Sequence, residues 1–190
     1  MEAKAKENIE ALKDKGNMFF KVGKFSEAID TYIEALNKIL KIKELKDDEL
    51  IPIIYSNISN TFLKIDNYKE ALNNANLALE AAHKINYINR KITYRKVQAL
   101  IGLKDYKQAS LVVDAELPKI TEKSFKIEFE SLQQYIKDLI SNPDGIGKFN
   151  WDAQKESSII DKIKDFIRPL EVKIGLLLFI YVLFMIYLFY

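Results

Sequence analysis

The 190 residues suffice for one compact domain and an appendage, and their 29% charged and 48% hydrophobic content is that of a folded protein. A net charge of +2 is too small for a nucleic-acid coat, and the absence of cysteine excludes disulfides, thiolate catalysis and sulfur-ligated zinc in these residues. One histidine, His83 in a helical stretch, reads as a surface or packing residue, and four prolines and six glycines leave little room for a turn-rich β fold.

The chain begins MEAKAKENIEALKDK, charged and helical without the apolar core of a secretory signal. Three stretches then share one spacing: Leu12 to Leu36, Tyr55 to Glu80 and Thr93 to Leu117. Each carries an aromatic in a short hinge (Phe25, Tyr68, Tyr106) and an alanine three residues later (Ala28, Ala71, Ala109). That pattern predicts antiparallel helix pairs whose backbones approach closely at the alanine. Phe19, Phe62 and Leu100 fill the groove beside it, and Gly16, with Ser59 and Val97 in register, occupies the tight crossing point. Residues 119–141 supply a seventh helix with apolar positions at Phe125, Ile127, Phe129, Leu132, Tyr135, Ile136 and Leu139, suited to capping the end of a stack.

A linker over residues 142–155 concentrates turn signals around NPDG and carries Phe149 and Trp151. Residues 156–168 follow as a short amphipathic helix with Ile159, Ile160, Ile163, Phe166 and Ile167 on one side, before Pro169 breaks it. It suits the headgroup region of a bilayer or the flank of the repeat domain equally.

From Ile174 to Tyr190 the sequence IGLLLFIYVLFMIYLFY has neither charge nor proline. As a helix it reaches about 25 Å, close to the hydrocarbon thickness of a bilayer. Lys162, Lys164, Arg168 and Lys173 gather positive charge on its N-terminal flank, which predicts that the preceding domain faces the cytosol. Tyr181, Tyr187 and Tyr190 suit an interfacial helix. The expectation is a transmembrane tail anchor over residues 172–190, inserted after synthesis, in the endoplasmic reticulum or the mitochondrial outer membrane.

The repeated spacing resembles the tetratricopeptide repeat. Aligned on the alanines, the repeats start at Ile9, Pro52 and Arg90, at intervals of 43 and 38 residues, where about 34 is usual. The surplus falls around KIKELKDDELIP and HKINYINR and predicts longer second helices or longer loops. The resemblance implies an all-α fold. Three helix pairs (near residues 9–42, 52–85 and 90–118) stack into a right-handed superhelix lined by the first helices, with a cap helix over 121–141, a domain spanning 5–141 and a C-terminal transmembrane helix.

Polar residues on the predicted first helices then become informative. Lys13 and Asn17 lie one turn apart, Asn57 sits in the second pair, and Lys91 and Arg95 again lie one turn apart. Converging in a groove with no acid nearby, three cations and two amides would form a receptor for carboxylates. The five residues resemble the dicarboxylate clamp of co-chaperone tetratricopeptide domains, which grip the Glu-Glu-Val-Asp tail of the ninety- and seventy-kilodalton heat-shock chaperones. The resemblance implies that Lys13, Asn17 and Asn57 hold the terminal carboxylate and last side chain, while Lys91 and Arg95 reach the upstream acids.

Together these features predict a membrane-anchored co-chaperone or adaptor, akin to the repeat-plus-anchor half of a membrane-bound immunophilin. Its partners would be chaperone C-terminal peptides and the lipid bilayer. The competing expectation is a membrane-complex scaffold that uses the convex face or the cap helix. No nucleophile–base pair, phosphate loop or metal-spaced histidines appear, so neither an enzyme nor a cofactor is expected, nor a nucleic-acid or small-molecule partner.

Overall fold

The computed structural model describes residues 2–142, which fall within one compact unit. Most of the linker, the amphipathic segment 156–168 and the anchor expected over 172–190 lie outside the described residues. Among the described residues no helix is long and apolar enough to cross a membrane.

Seven α-helices follow one another with no strand among the described residues: α1 (Glu2–Lys21), α2 (Phe25–Ile39), α3 (Leu50–Lys64), α4 (Tyr68–Lys84), α5 (Arg90–Gly102), α6 (Tyr106–Glu116) and α7 (Lys123–Ser141). Each helix packs on the next, and a short 3-10 turn, Leu117–Lys119, joins α6 to α7. The first helices of successive pairs also touch, α1 against α3 and α3 against α5.

The turn inside each pair is built identically. Gly23, Asp66 and Lys104 adopt positive φ (78°, 56° and 62°), two residues before Phe25, Tyr68 and Tyr106. The amide of the following residue (Lys24, Asn67, Asp105) reaches back to the carbonyl of Phe19, Phe62 or Leu100. This is a Schellman closure, which satisfies the orphaned carbonyls of the ending helix. Asn67 and Asp105 then cap the next helix, accepting from the amides of Glu70 and Gln108.

Packing follows the expected register. Ala28, Ala71 and Ala109 are buried, as are Ser59 and Val97. A Cβ on Gly16 would meet Tyr32 Cε1 at 2.5 Å, so only glycine admits that ring against α1. One apolar cluster joins Ile9 of α1, Tyr32, Leu36 and Ile39 of α2, and Ile51, Ile54 and Ile58 of α3.

The surplus between the first two repeats is a loop, since α2 ends at Ile39. A 3-10 turn, Lys43–Leu45, plugs Leu45 into that cluster. The loop is tethered to α1 where Lys6 Nζ donates to Asp48 Oδ2 at 2.7 Å. On α7, Phe129, Leu132, Ile136 and Leu139 face inward at the expected spacing. Ile127 does not: it is 53% exposed, being two residues from Phe129 and so on the opposite side of the helix.

Candidate functional site

The contacting first helices bring three of the five expected residues into one hydrogen-bonded chain. On α5, Arg95 Nη1 donates to Ser56 Oγ and, at 3.5 Å, to Asn57 Oδ1, both on α3. Asn57 Nδ2 donates to Asn17 Oδ1 on α1 at 3.2 Å. Asn17 Nδ2 in turn donates to Asp14 Oδ1 at 3.3 Å. Tyr32 of α2 enters from behind, its hydroxyl donating to Asn17 Oδ1 at 2.6 Å.

Lys13 joins the α1 end through its ion pair with Asp14, Nζ to Oδ1 at 3.3 Å. Lys91 stands one turn before Arg95 on α5, exposed, with its amide bonded to the Asn89 side chain that caps the helix. Its ammonium acts on Glu128 of α7: burial pushes the Glu128 carboxyl above its usual range, and Lys91 pulls it back. The structure therefore joins Asn17, Asn57 and Arg95 directly, places Lys13 beside them, and sets Lys91 at the α7 edge. It also corrects the expectation of a site without acids, because Asp14 contacts Lys13 and Asn17.

Burial lowers the Arg95 guanidinium to about 10, with Tyr32 acting the other way. It remains a cation at neutral pH. Burial pushes the Tyr32 hydroxyl up to about 12, opposed by Arg95 and reinforced by Asp14, so it stays a proton donor. Chemically the assembly offers cationic and amide N–H donors in a partly desolvated setting, which favours anionic oxygen ligands. Among the described residues no group of three His, Cys, Asp or Glu is placed to hold a metal ion.

Sequence reasoning missed Tyr32, Ser56 and Asp14. Tyr32 did carry a signal: the matching positions one turn after Ala71 and Ala109 are Ala75 and Val113, so only the first pair brings a hydroxyl there. Asp14, beside a lysine on a charged helix, carried none.

No family model matches the chain. It is 34% identical over 88 residues to Protein unc-45 homolog B of Danio rerio, covering 46% of this chain and 9% of that protein. It is 36% identical over 99 residues to mitochondrial import receptor subunit TOM70 of Saccharomyces cerevisiae, covering 52% of this chain and 14% of that protein. The chain thus matches well under a fifth of either relative's length. Among solved structures it resembles the first TPR of Spaghetti (RPAP3), bound to HSP90 peptide SRMEEVD, with a TM-score of 0.58 and 21% identity over 72% of this chain and 98% of that one. It also resembles the second TPR domain of human RPAP3 in complex with HSP70 peptide SGPTIEEVD, with a TM-score of 0.55 and 22% identity over 70% of this chain and 98% of that one. From the shared turns, the buried alanines and these likenesses, residues 2–142 have the tetratricopeptide-repeat fold.

Proposed function

We propose that the groove formed by α1, α3 and α5 binds the acidic C-terminal tail of cytosolic heat-shock chaperones through Lys13, Asn17, Asn57, Lys91 and Arg95. The observation that carries this reading is the continuous hydrogen-bonded run Arg95–Asn57–Asn17, flanked by Lys13 and assembled from three successive helix pairs. The likeness to repeat domains bound to peptides ending in EEVD supports it. On this reading the protein is a non-enzymatic co-chaperone. The apolar run 174–190 anchors it, and the domain recruits chaperones to an organelle surface. The similarity to a mitochondrial import receptor subunit favours the mitochondrial outer membrane over the endoplasmic reticulum.

Calorimetry with the full chain in detergent and a peptide ending in free Glu-Glu-Val-Asp tests the groove. Wild type should bind in a salt-sensitive manner, and the double variant Lys91→Ala/Arg95→Ala should weaken binding by at least about 50-fold. Unchanged affinity in that variant overturns the reading. A second reading, a scaffold docking through the cap helix, is favoured by one observation: Ile127 and Ile140 of α7 are exposed. Co-purification that survives the double variant but fails in Ile127→Glu would support it.

A further inference from the structure

The hydrogen-bonded run has a direction, and both of its ends enforce it. Arg95 carries only donors, so the Asn57 atom facing it is the amide oxygen. The Asn57 nitrogen therefore points to Asn17, which must present its own oxygen. At the far end Asp14, as a carboxylate, only accepts, so the Asn17 nitrogen faces it. A guanidinium at one end and a carboxylate at the other thus select the same orientation of both amides.

Tyr32 adds a second donor to the Asn17 oxygen at 2.6 Å, the shorter of the two bonds that oxygen accepts. The ring is 1% exposed and seated on Gly16, so it does not reach a ligand in the groove. We infer that Tyr32 is a positioning residue that, together with Arg95 and Asp14, holds the Asn17–Asn57 pair with its amide oxygens already bonded, so that the pair offers N–H groups to a ligand and makes the groove favour a free carboxylate over a carboxamide. The inference rests on the carboxylate-binding reading proposed above and adds to it the source of the selectivity.

The physical reason is donor–acceptor matching. A carboxylate only accepts, whereas a carboxamide has an NH₂ that needs an acceptor. With both amide oxygens already accepting, that NH₂ finds no acceptor in the asparagine pair and is left to Asp14 or to water, a mismatch that disfavours the carboxamide. Removing the tyrosine hydroxyl leaves the Asn17 oxygen with one donor in place of two, and the amide turns more readily to meet a carboxamide.

The test compares wild type and Tyr32→Phe, each as the full chain in detergent, titrated with one Glu-Glu-Val-Asp peptide prepared as the free acid and as the C-terminal amide. The variant keeps the ring on Gly16, and circular dichroism checks its fold. Free-acid affinity should fall about five-fold, the worth of one hydrogen bond, while the amide peptide is unaffected or binds slightly better. The acid-to-amide preference therefore shrinks by at least that factor. A uniform loss of stability would weaken both peptides together and leave the preference intact. If wild type prefers the free acid and Tyr32→Phe keeps the same preference, the positioning role is overturned while the groove reading stands. If wild type binds neither peptide, the groove reading falls and this inference falls with it.

Discussion

The two halves of the repeat domain both bury large apolar side chains, but one of them adds an ion cluster. Helices α1 to α3 share one apolar cluster of large side chains, among them Ile9, Ile39, Ile54 and Ile58, each essentially removed from solvent. Every such side chain stabilises by about 1.5–3 kcal/mol without directional demands. The apolar residues that α4 itself buries are instead small, Ala71, Ala75, Ala78 and Ala82, set against Leu63 of α3 and Ile92 of α5. The alanines contribute little by area and permit close backbone approach. Beyond them, α5, α6 and α7 bury Val97, Val113, Phe129, Leu132 and Ile136 and add an ion cluster centred on Arg90. Its guanidinium pairs with Glu116 at 2.5 Å, donates to the Lys119 carbonyl at 2.7 Å and lies 3.6 Å from Glu122. The difference matters for the groove because Lys13, Asn17 and Asn57 stand away from the ion cluster, on α1 and α3, whereas Lys91 and Arg95 follow Arg90 on α5.

Removing Arg90 should break the comparison most severely. Its side chain is 10% exposed and that of Glu116 17% exposed, so Arg90→Ala leaves a largely buried carboxylate with only the exposed Lys119, 3.5 Å away, as its partner cation. A loss of about 3–5 kcal/mol is expected in urea unfolding. The double variant Arg90→Met/Glu116→Leu should recover most of it, since a well-packed apolar pair often matches a buried ion pair.

The two close-approach glycines sharpen the contrast at intermediate cost. A Cβ on Gly16 runs into the Tyr32 ring, and one on Gly102 into the Tyr68 ring. Either Gly→Ala change should cost about 1–3 kcal/mol by overpacking, read as a fall in thermal midpoint. They should differ in peptide binding, because Tyr32 bonds Asn17, whereas the Tyr68 hydroxyl donates to Asp66 within its own turn. Gly16→Ala is expected to weaken the free-acid peptide and Gly102→Ala to spare it. The smallest effect is a gain: Lys104→Gly relieves a lysine at φ 62° and should stabilise by about 0.5–1 kcal/mol.

Much of this architecture was legible because close packing leaves few options. An alanine three residues after a hinge aromatic, in register with Gly16, Ser59 or Val97, has few readings other than two helices crossing tightly. The inward face of α7 was legible for the same reason, apart from Ile127, whose apolar character outweighed its position in a reading by composition. The groove was partly legible: Asn17, Asn57 and Arg95 meet as their register implied. Tyr32 was hidden because a buried aromatic reads as core, and its hydroxyl serves a residue fifteen positions away. Asp14 was hidden because nothing in its neighbourhood distinguishes a carboxylate that turns toward the groove from one that turns toward water. Whether the intervals of 43 and 38 residues meant longer helices or longer loops was likewise undecidable without the buried Leu45, whose plug makes the first surplus a loop.

That plugged loop separates two measures of a repeat. Counted in residues the stack is irregular, yet the three hinge turns close with the same bonds. The rhythm of the architecture is kept by its hinges, and the lengths between them are free to drift wherever added chain can seal itself against the core, as Leu45 and the Lys6–Asp48 tether do here. A stack of this kind tolerates insertion at its joints while its groove keeps time.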